Sequence, residues 1–226
     1  MRNIDKTLIF AIFSSMNLSL RDSLFAAAKQ RISQEDPSHD FLHACRVARM
    51  AERITESEQA DLDVIVPAAL FHDVVNYPKN DPRSARAADE SADMVAGILR
   101  DLPDYPQEKI EAVQIAIRQC SFSKNIVPEQ LEARVLQDAD MLEAAGAFAI
   151  MRTFCSTGQM KRPFYNAEDP FCEHREPDPK SFAVDLFYAR LLKVQDRVHT
   201  NLAKEIVKQR TAFLNAFLDQ IRSELA

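Results

Sequence analysis

Hydrophobic and polar positions along this chain repeat with the period of α-helices. Val47, Ala51 and Ile54 recur at spacings of three and four, and His43 falls one turn before Val47 on the same face. His43 is therefore predicted to point inward. The same reasoning predicts helices over residues 19–32, from a cap at Ser38 through the His43 segment, from Asp61 or Asp63 to near Asn76, and over 84–99, 107–119, 129–154, 181–194 and 197–225. Gly146 is a weak point within the helix predicted over 129–154.

One stretch interrupts the helical pattern. Four prolines fall between Gly158 and Pro179, which predicts an irregular excursion near residues 158–179. No segment has a convincing strand pattern, so the fold class is predicted to be all-α. We expect one domain over residues 21–226, preceded by an N-terminal extension at residues 1–20 that has a short apolar stretch but no convincing cleavage site.

Composition narrows the possible functions. Only three of 226 residues are glycine, which argues against a Rossmann or P-loop nucleotide site. A net charge of −6 argues against a nucleic-acid polymer as partner, although a local basic pocket can still bind a small phosphorylated molecule. The four cysteines lack CxxC spacing and are expected to be reduced thiols of a cytoplasmic protein. No segment is long enough to predict a membrane span.

The pair His72-Asp73 carries the strongest chemical signal. It closes an uninterrupted apolar run, 64–71, and an imidazole beside a carboxylate at the end of a buried segment requires a polar or metal partner. His43 supplies a second imidazole, and the later sequence Asp138-Ala139-Asp140 supplies another carboxylate. Two histidines and two carboxylates suit one divalent ion, which could be manganese, magnesium, iron, nickel or zinc.

A structural role competes with the metal role at each position. A single inward histidine is more often a hydrogen-bonded core residue than a ligand, so His43 alone predicts little. The joint occurrence of ligand-type residues on three separate helical segments favours the metal site. Spacing alone does not choose between Asp138 and Asp140, because each is in register with a different set of apolar neighbours.

Three segments together resemble a known family. The order His, His-Asp, Asp is similar to the HD superfamily of metal-dependent phosphohydrolases, a helical-bundle fold. The segments around His43, around His72-Asp73 and around Asp140 resemble a bacterial subgroup of small HD-domain proteins assigned as nucleotide phosphohydrolases. The resemblance extends from about Arg21 to the C-terminus.

The resemblance implies roles for particular residues. His43, His72, Asp73 and Asp140 take the four metal-ligand positions, and Asp138 and Arg46 become candidates to support the ligands. The chain departs from the pattern at Cys120, where many relatives have histidine, and at Met141, where they usually have arginine. The resemblance therefore does not imply a histidine-dependent proton-transfer or second-metal role at position 120.

The implied reaction is hydrolysis of a small phosphorylated substrate, with a nucleotide suggested by the family alone. The metal would activate a water, and Asp73 is the candidate to orient or deprotonate it. One alternative is a non-catalytic ligand-binding or regulatory module with the metal as a structural staple. Another is a metal-dependent oxygenase, which would need further ligands such as His39. The candidate substrate contacts are Asn76, Lys79, Arg83 and Lys124.

Overall fold

The structure is a computed structural model and describes residues 16–34, 36, 38–77, 81–121 and 126–226. All regular secondary structure in these residues is helical, so the predicted all-α class is confirmed. The chain divides into two compact units, residues 1–139 and 140–226. The boundaries of a single domain at 21–226 and an extension at 1–20 stay predictions. Of that extension, residues 1–15 lie outside the described residues, and Met16 and Leu20 are buried.

The first unit contains six helices or parts of helices among its described residues. None of the helices described in either unit is long and apolar enough to cross a membrane. The helices of the first unit are α1 (Leu18–Arg31), α2 (Phe41–Glu58), α3 (Leu62–Phe71), α4 (Ala87–Arg100), α5 (Ile110–Cys120) and α6 (Leu131–Glu143, whose last residues belong to the second unit), with short 3₁₀ helices at Pro82–Arg86 and Gln107–Lys109.

Helix α3 is the centre of the first unit. It packs against α1, α2, α4 and α5, and every residue from Val64 to Phe71 is buried. A helix that is apolar on all faces requires neighbours on all faces, which explains this central position. His72 and Asp73 directly follow the C-terminal end of this central helix, where His72 is buried and Asp73 is partly buried.

A proline inside α3 is accommodated by a tyrosine from another segment. Pro67 has no amide hydrogen for the carbonyl of Asp63, four residues earlier. The hydroxyl of Tyr105 donates a hydrogen bond to this carbonyl at 2.9 Å. Tyr105 is only 2% exposed, and its burial raises the pKa of the phenol, which keeps the hydroxyl in its donor form.

The predicted start of α2 and the predicted end of α3 are wrong. Helix α2 is capped by Asp40, whose carboxylate accepts from the His43 amide at 2.8 Å, and not by Ser38. Helix α3 ends at Phe71 and not near Asn76, because the Val74 amide turns back to the Phe71 carbonyl at 3.1 Å in a tighter turn.

The predicted helix over residues 129–154 is two helices, α6 and α7 (Ala147–Met160). Gly146 separates them with φ 80° and ψ −157°, a conformation that is essentially restricted to glycine. A Cβ atom at this position would lie 3.1 Å from Cγ of Arg210, whose guanidinium donates a hydrogen bond to the carbonyl of Leu142. The break falls at Gly146, the weak point that the sequence indicates within this predicted helix.

Gly146→Ala is expected to lower the free energy of unfolding by about 1–3 kcal/mol, because alanine disfavours this backbone conformation and its methyl group would press on Arg210. Chemical denaturation monitored by circular dichroism measures the change. Gly158→Ala is the control, because Gly158 lies within α7 and nothing is within 4 Å of a Cβ added there. Equal stabilities of the two variants would contradict the assignment of strain to Gly146.

The second unit has its own core. Besides α7 it contains α8 (Asp185–Ala189), a 3₁₀ helix (Leu191–Asp196) and α9 (Asn201–Leu225), so the helix predicted over 181–194 is wrong in its extent. Val184, Phe187 and Leu191 pack there with Ala149, Leu214 and Leu218.

The predicted irregular excursion follows α7. It is held at Asp185, whose buried carboxylate accepts hydrogen bonds from Arg175 and from the amide of Asp178.

Candidate metal centre

The first histidine is placed by helix α2. His43 lies in the first turn, and its side chain is on the buried face with Val47, Ala51 and Ile54, as the periodicity predicts. Its side chain is 1% exposed. The cap at Asp40 fixes the start of α2 and therefore the direction in which this imidazole points.

The second histidine is placed by the end of α3. Nδ1 of His72 lies 2.8 Å from the carbonyl oxygen of Ala69, which can only accept, so Nδ1 carries the hydrogen of the neutral imidazole. The lone pair is then on Nε2, the atom that faces Asp73. This arrangement fixes the tautomer that a metal ligand requires.

These two imidazoles converge with the carboxylate of Asp73. Oδ2 of Asp73 is 3.4 Å from Nε2 of His72 and 3.8 Å from Nε2 of His43. One ligand atom from each of the three residues lies within 4.8 Å of the others. The two imidazole rings meet at 60°, with centroids 5.4 Å apart.

The two distances from the Asp73 carboxylate fit a shared divalent ion. Atoms that each lie at about 2.1 Å from one ion can be up to about 4.2 Å apart, whereas an N–H···O hydrogen bond extends to only about 3.2 Å. The two measured separations from the carboxylate fall between these limits. Two imidazole nitrogens and a carboxylate oxygen also form a donor set that manganese, iron, nickel and zinc accept.

Exposure differs sharply within this cluster. The imidazole side chains are 1% and 2% exposed, whereas the Asp73 side chain is 37% exposed. Solvent therefore reaches the cluster from the side of Asp73. A carboxylate in this position can contact both an ion at the imidazoles and a water from outside.

A third histidine lies beside His43. The rings of His39 and His43 meet edge to face, with centroids 5.8 Å apart. Nδ1 of His39 is 2.6 Å from the carboxylate of Asp36, and this contact directs the imidazole of His39. Among the described residues, the only group of three or more close metal-binding side chains is that of His43, His72 and Asp73, so His39 does not extend it.

The remaining residues predicted as metal ligands or their supports lie on α6 and α2. Asp138 is fully buried, and Asp140 is partly buried in the last turn of α6, where the second unit begins. The choice of Asp140 as the fourth ligand stays a prediction. Arg46 is partly buried on α2, three residues after His43, and Cys120 is buried at the end of α5.

The residues predicted to bind substrate follow the His-Asp pair. Asn76 is exposed. Arg83 forms a bidentate ion pair with Asp81, in which Nε lies 3.0 Å from Oδ1 and Nη2 lies 2.7 Å from Oδ2. The guanidinium carbon of Arg83 lies 4.6 Å from the centre of the Tyr77 ring. Hydrogen bonds from Arg83 lower the pKa of Asp81 to about 2. Lys79 and Lys124 lie outside the described residues.

Two residues on α4 that contact Val75 and Tyr77, just after the His-Asp pair, were missed by sequence analysis. Ser91 bonds to the backbone of Val75, and Glu90 accepts from the hydroxyl of Tyr77 at 2.5 Å. The available signal was a polar position on the apolar face of α4, since Ser91 precedes Ala92 and Val95 in a helix whose buried face is otherwise apolar. Nothing in the pattern identifies the partner, which is 16 positions away.

Comparison with known proteins gives consistent matches. Residues 41–145 match the family model of the HD domain. YpgQ of Bacillus subtilis strain 168 is 28% identical over 195 residues, which cover 86% of this chain and 88% of YpgQ. The crystal structure of YpgQ in complex with ADP has a TM-score of 0.66 at 26% identity, covering 90% of this chain and 97% of that one. An HD-superfamily hydrolase from Bacillus thuringiensis has a TM-score of 0.69 at 27% identity, with 91% and 96% covered.

Proposed function

We propose, from the premise that this chain belongs to the HD superfamily, that it is a metal-dependent phosphohydrolase acting on a nucleotide or a similar small phosphorylated molecule. The observation that carries the proposal is the convergence of His43, His72 and Asp73, with Nε2 of His72 left as the lone-pair donor by the bond to Ala69. The complex of YpgQ with ADP supports a nucleotide ligand.

Four side chains would hold the ion: His43 and His72 through Nε2, and Asp73 and Asp140 through carboxylate oxygens. Asp138 and Arg46 would orient these ligands. A bound divalent ion supplies Lewis acidity, which lowers the pKa of a water and polarises a phosphoryl oxygen.

The side chains around the ion have different roles in the proposed reaction. The two buried imidazoles keep solvent away from one side of the centre, and the partly exposed Asp73 receives the attacking water and accepts its proton. The phosphate would be bound by Asn76, Lys79, Arg83 and Lys124, of which Arg83 would have to share or exchange its carboxylate partner Asp81.

Metal binding is expected to stabilise the fold. Free Mn²⁺ at about 100 times its dissociation constant would add about 2.7 kcal/mol to the free energy of unfolding, because only the folded chain assembles the ligand set. Thermal melting with Mn²⁺ and with a chelator measures the effect. His72→Ala is the variant that should lose it, and His174→Ala, an exposed histidine outside the cluster, should retain it. Equal melting with and without Mn²⁺ in the unmodified protein would contradict the metal centre.

A screen of nucleoside mono-, di- and triphosphates with Mn²⁺ tests the activity itself. Turnover that disappears with chelator supports the hydrolase. Ligand-dependent melting without turnover would instead support the non-catalytic module, and two irons per chain would support the oxygenase. Detection of phosphate and of pyrophosphate in parallel identifies the bond that is cleaved.

A further inference from the structure

The segment that leaves the His-Asp pair is tied to helix α4 by a buried serine. The amide of Val75 donates to Oγ of Ser91 at 3.1 Å, and the same hydroxyl is 3.4 Å from the carbonyl of Val75, to which it can donate. Ser91 is 0% exposed. One side chain thus engages both backbone groups of a residue only two positions after Asp73.

Asp73 depends on its backbone more than the two histidines do. The imidazoles are enclosed on all sides, and His72 is also fixed by its bond to Ala69. Asp73 lies past the end of α3 and is partly exposed, and its nearest carboxylate oxygen is 3.4 Å or more from both imidazole nitrogens. Its place in the cluster is therefore set by the turn at residues 72–75 and by whatever anchors that turn.

The burial of Ser91 indicates that its hydrogen bond to Val75 is a specific contact. Burying a hydroxyl without a hydrogen bond is unfavourable, and the bond to Val75 offsets that cost for the fully buried Ser91. Alanine would pack at this position without that cost. The bond to Val75 uses the hydroxyl and also satisfies backbone groups that have left the helix.

We infer that Ser91 is a positioning residue for Asp73: its hydroxyl holds the turn after α3 so that the carboxylate stays within reach of an ion bound at the imidazoles. The inference rests on the proposed metal-dependent function and extends it to a residue on another helix. The role inferred for Ser91 concerns metal binding and not only the stability of the fold. The second contact from α4, between Glu90 and the Tyr77 hydroxyl, acts further along the same segment, beyond Asn76.

Ser91→Ala tests the inference, with Mn²⁺ alone as the probe. Isothermal titration on the full-length protein, well below its melting temperature, is expected to show about tenfold weaker Mn²⁺ binding, the scale of losing a group that supports a metal ligand. Ser91→Cys keeps the size of the side chain with a weaker hydrogen-bonding group, and it should change affinity in the same direction by less. This milder variant also keeps the test decisive if the alanine variant folds poorly.

Thr55→Val is the matched control. Thr55 is a buried hydroxyl residue of the same unit whose Oγ1 has no hydrogen-bond partner in the described part of the chain, so its removal takes away a hydroxyl that anchors nothing. This variant should bind Mn²⁺ like the unmodified protein. Tyr77→Phe removes the more distant contact to Glu90 and should also leave Mn²⁺ affinity unchanged.

The result that overturns the inference is a pair of Ser91 variants that melt at lower temperature but bind Mn²⁺ with unchanged affinity, because Ser91 would then serve the fold alone. Failure of the proposed function has a different signature. If the unmodified protein binds Mn²⁺ but hydrolyses no phosphorylated compound, the hydrolase proposal is wrong, and the difference in Mn²⁺ affinity between Ser91→Ala and Thr55→Val still decides the inference.

Discussion

Replacing Asp73 by asparagine is expected to lower kcat for phosphate-ester hydrolysis by about 10²–10⁴-fold, the range attributed to a positioned general base. The amide preserves the size of the side chain but can neither accept the proton of the attacking water nor supply a negative ligand. Oδ2 of Asp73 is the atom that approaches both imidazoles, so the substitution also removes charge where an ion would bind. Initial rates at saturating substrate and Mn²⁺ measure the effect.

Metal content distinguishes the two contributions of Asp73. Elemental analysis of Asp73→Asn after loading shows how much of the loss is due to missing metal, and the rate per bound ion shows the remaining chemical loss. Asp104→Asn is the control, because Asp104 is an exposed aspartate of the same unit that is not part of the cluster. Full activity and full metal content in Asp73→Asn would show that Asp73 has neither role.

Asp185→Asn is expected to lower the free energy of unfolding by about 1.5–3 kcal/mol, the scale of hydrogen bonds to a charged group, because Arg175, the partner left behind, is 24% exposed. The Asp185 carboxylate is 0% exposed and accepts from both terminal nitrogens of Arg175, one at 2.8 Å, and from the Asp178 amide at 2.7 Å. The substitution leaves Arg175 with only the carboxylate of Asp169, whose Oδ2 lies 4.0 Å from Nε of Arg175. Chemical denaturation at pH 7 measures the loss.

The stability supplied by Asp185 should depend on pH in a defined direction. Burial by itself raises the pKa of this carboxyl, but hydrogen bonds from Arg175 and from the Asp178 amide outweigh burial and lower the pKa below its ordinary value. A lowered pKa in the folded state stabilises the protein above the unfolded-state pKa of about 4, and this contribution is lost as pH falls through the folded-state value. The difference in stability between the unmodified protein and Asp185→Asn should therefore shrink below about pH 4.

A neighbouring exposed ion pair provides the control for Asp185. Arg222 contacts Glu173 at 2.6 Å, with both side chains about half exposed. Glu173→Gln should change stability far less than Asp185→Asn does, because solvent already screens this pair. Equal losses in Asp185→Asn and Glu173→Gln would contradict the role given to burial.

The sequence alone predicts the helical class, the inward direction of His43 and the irregular segment with its four prolines. Each of these depends on residues within a few positions of one another. The spacing of Val47, Ala51 and Ile54 already defines the buried face of α2, and the unbroken apolar run before His72 already requires a helix enclosed on all sides. The His-Asp pair was recognisable because it closes that run.

Helix boundaries were predicted less well, for a physical reason. Helix α3 stops at Phe71 although its composition allows it to continue, and the following turn is anchored by Ser91 on α4. The break at Gly146 depends on a backbone conformation that hydrophobic periodicity does not encode. The end of α3 therefore involves an atom from another helix. At the second break the glycine is a signal in the local sequence, and only its backbone conformation required the structure.

The sequence determined which side chains face the interior and which residues have the chemistry to bind an ion. Only the tertiary structure decided the partners of buried polar groups: Ser91 for Val75, Tyr105 for the carbonyl that Pro67 leaves open, and Arg175 for Asp185. The reason is that burial follows from the periodicity of one helix, whereas a hydrogen bond between distant residues requires the separation and direction of two packed segments, which arise only when the helices assemble.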